Sequence, residues 1–272
     1  MAAEDTYNLP VGALMQGKRG LVMGVANRNS IAWGIAAQLA AQGAELALAY
    51  MAVNEKRVRP LGESIGVKTW ATFDAFEEGS IEAAINTVEQ AFGTIDFLVH
   101  AIGFAERSQI GGSFVENAER GAFLRAMDAS VYSFVDAAKW AAKLMPNGGS
   151  MITMTYLGSE RAIPNYNTMG VAKAALEAAT RYIARDLGPK GIRVNAISAG
   201  AMRTLSLAGI QGGRGMLGQG RAMSALKEDT SMEGVAGCAL WLLSDLGRST
   251  TGEVIHVDAG FHMMGLPSED EG

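Results

Sequence analysis

The sequence is short of several things, and each shortage narrows the field. It holds one cysteine, Cys238, in 272 residues. An internal disulfide is therefore excluded, and a reducing compartment suits the chain. That cysteine stands in VAGCALWLL, an apolar helical pattern, which reads as a buried structural position rather than a nucleophile. Histidine is scarce as well. His100, His256 and His262 are scattered without ligand spacing, so no metal site is expected. No apolar run reaches the length of a membrane span. Basic residues are outnumbered, 23 against 28 acidic ones, and form no cluster, which argues against nucleic acid as a partner. The opening stretch MAAEDTYNLP is acidic and lacks the apolar centre of a signal peptide. A cytoplasmic protein is expected.

What the chain does have is apolar content, 49% of its residues, enough for a sizeable core. Short apolar runs alternate with longer helical patterns. Strands are expected at 19–24, 44–50, 67–74, 95–103, 149–156, 192–200 and 252–260. Helices are expected at 30–43, about 54–65, 80–93, about 116–145, about 165–187 and about 231–244, with Ser30 and Gly43 as start and stop signals of the first. Strand–helix alternation with nearly continuous apolar strands predicts an α/β protein: a single-domain Rossmann fold, with a seven-stranded parallel sheet and helices on both faces. The domain spans 1–272, with its core over about 15–262. The acidic tail within 266–272 is expected to be disordered. Residues 206–223, SLAGIQGGRGMLGQGRAM, are glycine-rich and proline-free. They read as a mobile segment with short helices, and 204–230 as a substrate-binding lid.

Three stretches carry chemistry, all at strand ends where such sheets bind ligands. MGVANRNSIAWG, 23–34, joins the first strand to the first helix. Gly24 permits a tight turn there, and Ser30 opens a helix whose N-terminus suits a pyrophosphate. The second strand ends in Tyr50 and Met51, with neither the acid typical of ribose recognition nor an arginine for a 2′-phosphate, so NAD(H) is mildly favoured over NADP(H). Asp74, ending the third strand, suits either an adenine amino group or a loop cap. TYLGSERAIPNYNTMGVAK, 155–173, places Tyr156 ten residues before Tyr166 and Lys173 seven after it. Seven residues are nearly two helical turns, so Tyr166 and Lys173 share a face.

Together GVANRNSIAWG, LVHAIGFA, YLGSERAIPNYNTMGVAK, RVNAISAGAMRTL and GEVIHVDAGF resemble the short-chain dehydrogenase/reductase superfamily. Within it they resemble the bacterial NADH-dependent enoyl-acyl-carrier-protein reductases, over about residues 15–262. The resemblance implies reduction of the C2=C3 bond of trans-2-enoyl thioesters by NADH, the final step of each fatty-acid elongation cycle. It implies catalytic roles for Tyr156, Tyr166 and Lys173. It implies cofactor contacts at Gly24, Ser30, Ile31, Met51, Asp74, Ala75, Ile102, Gly103, Lys173, Met202 and Thr204, and a substrate contact at Ala105. Phe104 and Met169 are expected to wall an acyl pocket. Acyl carrier protein is the implied partner, homotetramer the implied assembly, and diphenyl ethers the implied inhibitors. In the lid the family's usual basic cluster is reduced to Arg214, with Arg221 and Lys227 as alternatives. The rival reading is a short-chain reductase of carbonyl or hydroxyl substrates. Such enzymes place a serine thirteen residues before the active tyrosine, where this chain has Thr153.

Overall fold

The computed structural model describes residues 9–265, with the side chain of Arg214 also left out; the expected acidic tail lies outside the described residues. Seven strands form one parallel sheet: β1 (Arg19–Met23), β2 (Glu45–Tyr50), β3 (Thr69–Thr72), β4 (Phe97–His100), β5 (Gly149–Thr155), β6 (Ile192–Ala199) and β7 (Val254–Val257), in the order β3-β2-β1-β4-β5-β6-β7. The order reverses between β1 and β4, where Met23 pairs with His100, and this opens a crevice beyond their carboxyl ends.

The pleat sorts the strand residues onto two cores. On one face Val22, Leu48, Tyr50, Val99 and Ile152 pack with α1 (Ile31–Ala41) and α9 (Met232–Leu243). On the other, Leu21, Met23, Ala47, Leu98 and Met151 pack with α3 (Ser80–Phe92), α5 (Ser133–Ala141) and α6 (Asn167–Leu187). Helix α2 (Glu55–Ser64) lies between β2 and β3 in the chain and α4 (Arg120–Met127) precedes α5. Half-buried Cys238 packs on the first core, and burial pushes its thiol up to about 11, away from a nucleophile's range.

Three expectations need correction. The helix expected over 116–145 is helical only from Arg120 and is interrupted by a π-turn at Asp128–Tyr132 before α5 resumes. Ser133 Oγ donates to Ala129 O four residues back, which competes with the regular ladder. The helix expected from 165 begins at Asn167, because Asn165 (φ 65) is left-handed and cannot join it; Asn167 (φ 41) opens the helix, itself at a positive φ. Ser30 precedes α1 as expected, but its hydroxyl donates back to Asn27 O at 2.6 Å and does not cap the helix. The glycine-rich segment folds as two helices, α7 (Leu205–Gly209) and α8 (Gly213–Met223). Thr204 Oγ1 caps α7 by accepting from Leu207 N at 3.2 Å.

Candidate active site

Strand β5 ends at Thr155, which delivers Tyr156, and a loop then carries the chain to Tyr166 at the head of α6. The two rings meet edge to face with centroids 4.8 Å apart. Lys173, two turns into α6, is buried, and its Nζ donates to Met154 O at 2.8 Å. One turn further on the same face, Glu177 accepts from Thr155 Oγ1 at 2.6 Å. The head of α6 and the end of β5 are thus joined twice.

Electrostatics follow from this burial. Tyr166 is raised far above the ordinary phenol value by burial, with Tyr156 and Glu177 adding to the effect. Tyr156 is pushed up to about 12 by burial and by Asp258. Burial lowers Lys173 to about 8, against the opposing pull of Glu177. At neutral pH the pair therefore offers a neutral phenol as donor and an ammonium beside it.

Gly103 leaves β4 against this group. A Cβ there would lie 3.3 Å from Lys173 Nζ, 3.6 Å from Met169 Cε and 3.8 Å from Ser130 Oγ. Ser130, in the π-turn, accepts from Phe104 N at 3.1 Å and lies 3.9 Å from Met169 Sδ. So Gly103 and Lys173, expected at the cofactor, lie together with Phe104 and Met169, expected at the acyl chain, and Ser130 joins them unforeseen. Ala105 follows Phe104, half-buried. Phe104 packs on Phe76, with ring centroids 5.3 Å apart, on the loop that carries half-buried Ala75 and Asp74. Asp74 Oδ1 accepts from Phe76 N at 2.9 Å and so caps its own loop. Met202 is buried, and Met51, just beyond the end of β2, is exposed.

The crevice also fits a dinucleotide. Gly24 has φ 98, and a Cβ on it would stand 2.3 Å from Ala101 O and 3.5 Å from Ile102 Cγ1. Backbone is thereby brought as close as it can come at the β1–β4 switch point, just ahead of the α1 N-terminus with its half-buried Ile31. Among the described residues no group of three or more His, Cys, Asp or Glu side chains is placed to hold a metal ion.

Set beside known proteins, these features decide the family. The profile described as Enoyl-(Acyl carrier protein) reductase matches residues 24–262. The chain belongs to the enoyl-acyl-carrier-protein reductase family. It is 49% identical, over 95% of its own length and 96% of the relative's, to enoyl-(acyl-carrier-protein) reductase (NADH) 2 of Rhizobium meliloti. A crystal structure of the Anaplasma phagocytophilum reductase in complex with NAD is 47% identical, with a TM-score of 0.91 over 96% of this chain and 99% of that one. The Bacillus cereus reductase, solved with NADP+ and an indole naphthyridinone, is 44% identical, with a TM-score of 0.90 over 93% of this chain and 100% of that one.

Within this reductase family member, His100 was expected only to be structural, and the structure says how. It is fully buried, with Nδ1 2.9 Å from Thr153 Oγ1 and Nε2 2.9 Å from Ser133 Oγ. Because Ser133 donates to Ala129 O, it accepts from Nε2–H, and Thr153 donates to Nδ1. Thr153, the hydroxyl on which a carbonyl-reductase reading would depend, is fully buried and committed to the imidazole. His256 and His262 stack at 4.0 Å, each beside a carboxylate, Glu160 and Asp258 respectively.

Burial, together with the charge of Lys173, lowers His100 to about 3. The unfolded chain takes up a proton near pH 6.5 that the fold refuses until about 3, so stability rises with pH across that window and falls as pH drops through it. His100→Gln, which keeps one donor and one acceptor, should lose that dependence. Urea unfolding at pH 7 and pH 5 should show the wild type losing about 2 kcal/mol more than the variant, from one proton bound only by the unfolded chain. Equal losses would show that His100 is not the group responsible.

Proposed function

We infer that this reductase reduces the C2=C3 double bond of trans-2-enoyl thioesters borne by acyl carrier protein, with NADH as donor, closing each cycle of fatty-acid elongation. The observation that carries the reading is the pair of buried Tyr166 and Lys173, with half-buried Tyr156 at the edge of the Tyr166 ring and Lys173 Nζ against Gly103 near the sheet's switch point. When bound, NADH supplies the hydride that reaches C3. Negative charge then gathers on the thioester carbonyl oxygen, and a donor aimed there stabilises the transition state more than the ground state. Tyr166 is assigned that hydrogen bond, and its burial keeps the proton on the phenol. Tyr156, at its edge, positions the thioester or supports proton delivery to C2. Lys173 gives one of its three donors to Met154 O and is assigned the nicotinamide ribose hydroxyls with the others.

Gly24, Ser30, Ile31, Met51, Asp74, Ala75, Ile102, Gly103, Met202 and Thr204 are assigned to the cofactor. Ala105, Phe104 and Met169 are assigned to the acyl chain. Helices α7 and α8 form the lid. A small recess beneath α8, lined by Tyr156, Met216, Leu217 and Asp258 among others, marks the substrate side. The indole naphthyridinone complex of the Bacillus cereus relative supports susceptibility of this chain to inhibitors, diphenyl ethers included. Carrier docking falls to the lid's basic residues. The side chain of Arg214 lies outside the described residues, and Arg221 is held by Asp229 through two hydrogen bonds while still 58% exposed. A homotetramer is supported by the exposed Leu124, Tyr132, Val135, Val171 and Tyr182 along α4, the π-turn, α5 and α6. Light scattering should then report four chains. No helix among the described residues is long and apolar enough to cross a membrane, which agrees with a cytoplasmic site of action.

The deciding assay follows NADH oxidation with crotonyl and acetoacetyl thioesters. Turnover of the enoyl substrate is expected. Reduction of the ketone alone would replace this reading with that of a carbonyl reductase.

A further inference from the structure

Tyr166 sits between two residues in an unfavourable backbone conformation. Asn165 has φ 65 and Asn167 has φ 41. Asparagine tolerates this region better than most residues, yet two such positions around a single residue persist only where the surroundings hold them. What holds them can be traced bond by bond. Asn167 Nδ2 donates to Gly111 O at 3.3 Å and Gly112 O at 3.2 Å. Asn165 Oδ1 accepts from Gly112 N at 3.0 Å, and Asn165 Nδ2 donates to Gln211 O at 2.9 Å. Gln211 N in turn donates to Ile110 O at 3.2 Å. A single side chain therefore joins the turn bearing Tyr166, the 110–112 loop and the link between α7 and α8.

These ties differ in kind. The loop is also fixed to α6 from within, because buried Thr168 Oγ1 donates to Gln109 Oε1 at 3.0 Å. Gln211 belongs to the glycine-rich segment and reaches the catalytic turn through Asn165 and Ile110. Movement of that segment would leave Asn167 and Thr168 bonded but would strip Asn165 of its acceptor. The conformation just before the phenol would then lose one of its two restraints.

We propose that Asn165 is a positioning residue that couples closure of the α7–α8 segment to the placement of the Tyr166 phenol. The proposal rests on the enoyl-reductase reading for its kinetic consequence, though not for the clasp itself. Closure over a substrate completes the bonding of Asn165 and fixes the donor. An open segment leaves the donor loosely placed, which holds back turnover until the site is covered.

Asn165→Gly separates the clasp from backbone strain, because glycine keeps the left-handed conformation without cost while losing both side-chain bonds. Three measurements on the full-length protein test it. Deuterium uptake should rise severalfold in the variant, over 205–213 as the segment loses its tie through Gln211 O and at the Gly112 amide, which loses its acceptor. NADH affinity, from the cofactor's own fluorescence, should stay unchanged. With crotonyl thioester, kcat should fall roughly tenfold, the scale expected when a reacting group is displaced by a fraction of an ångström. Asn165→Asp, which keeps the acceptor for Gly112 N but sets a carboxylate oxygen against Gln211 O, should show the same signature more strongly. Unchanged uptake would remove the clasp, and raised uptake with unchanged kcat would remove the coupling. If the wild type fails to reduce any enoyl thioester, the functional reading falls, while deuterium uptake still decides the clasp.

Discussion

Tyr166→Phe should lower kcat for crotonyl thioester by about a hundredfold or more while leaving NADH affinity within a factor of two. Loss of one oxyanion donor elsewhere costs about 3 kcal/mol, equivalent to a factor of 10² in rate. The substitution removes one oxygen from a residue that is 7% exposed and does not disturb the ring's edge contact with Tyr156, so the fold should stand. The selective fall in kcat follows from the charge being present only in the transition state. Tyr156→Phe provides the comparison. Its ring is less buried and its hydroxyl lies nearer Asp258, so its loss should be smaller. A Tyr166→Phe enzyme with wild-type kcat would remove the phenol from the mechanism.

Gly24→Ala should cost on the order of 3 kcal/mol in unfolding free energy and at least tenfold in NADH affinity. A left-handed conformation costs a residue with a Cβ about 1–2 kcal/mol. The methyl would also meet Ala101 O at 2.3 Å, and backbone carbonyls move less readily than side chains; overpacking of this kind typically adds about 1–3 kcal/mol. Relief would come by prising β1 from β4 at the crevice where the cofactor is assigned. Gly17→Ala separates the two contributions. Gly17 has φ 77, but nothing stands within 4 Å of its added methyl, so it should carry the conformational cost with no change in NADH affinity. Thermal melts and fluorescence titrations of both variants read out the difference. Equal behaviour would show that the approach to Ala101 is not what glycine is needed for.

The fold was legible because each strand is an apolar run and each helix repeats its apolar face, so β1, α1, β2, α3, β5, β6 and α9 fall within two or three residues of expectation. The strand ends were overextended at β3, β4 and β7. Apolar Ile102 continues past the last bond to β1, which Ala101 N makes to Met23 O, and composition does not mark where pairing stops. Tyr156, Tyr166 and Lys173 were legible because their spacing encodes one helix face reaching one strand end. Ser130, His100 and Glu177 were not. Their importance depends on a π-turn, a buried neutral imidazole and a carboxyl one turn beyond Lys173, and each is a matter of three-dimensional neighbours. Asn165 and Asn167 carried a local signal, since asparagine is one of the few residues that accepts a left-handed backbone, but their partners lie more than forty residues away in the chain.

The π-turn at Asp128–Tyr132 holds one residue more than an α-helical turn, and the surplus bulges outwards without swinging the helix that follows. Deleting that one residue would restore the ordinary ladder and leave Phe134, Ala137, Ala138 and Ala141 facing the sheet. What would disappear is the widened turn itself, which presents the Ser130 hydroxyl to Phe104 N and Met169 Sδ. The irregularity therefore serves the crevice, while the core beneath it would be content without it.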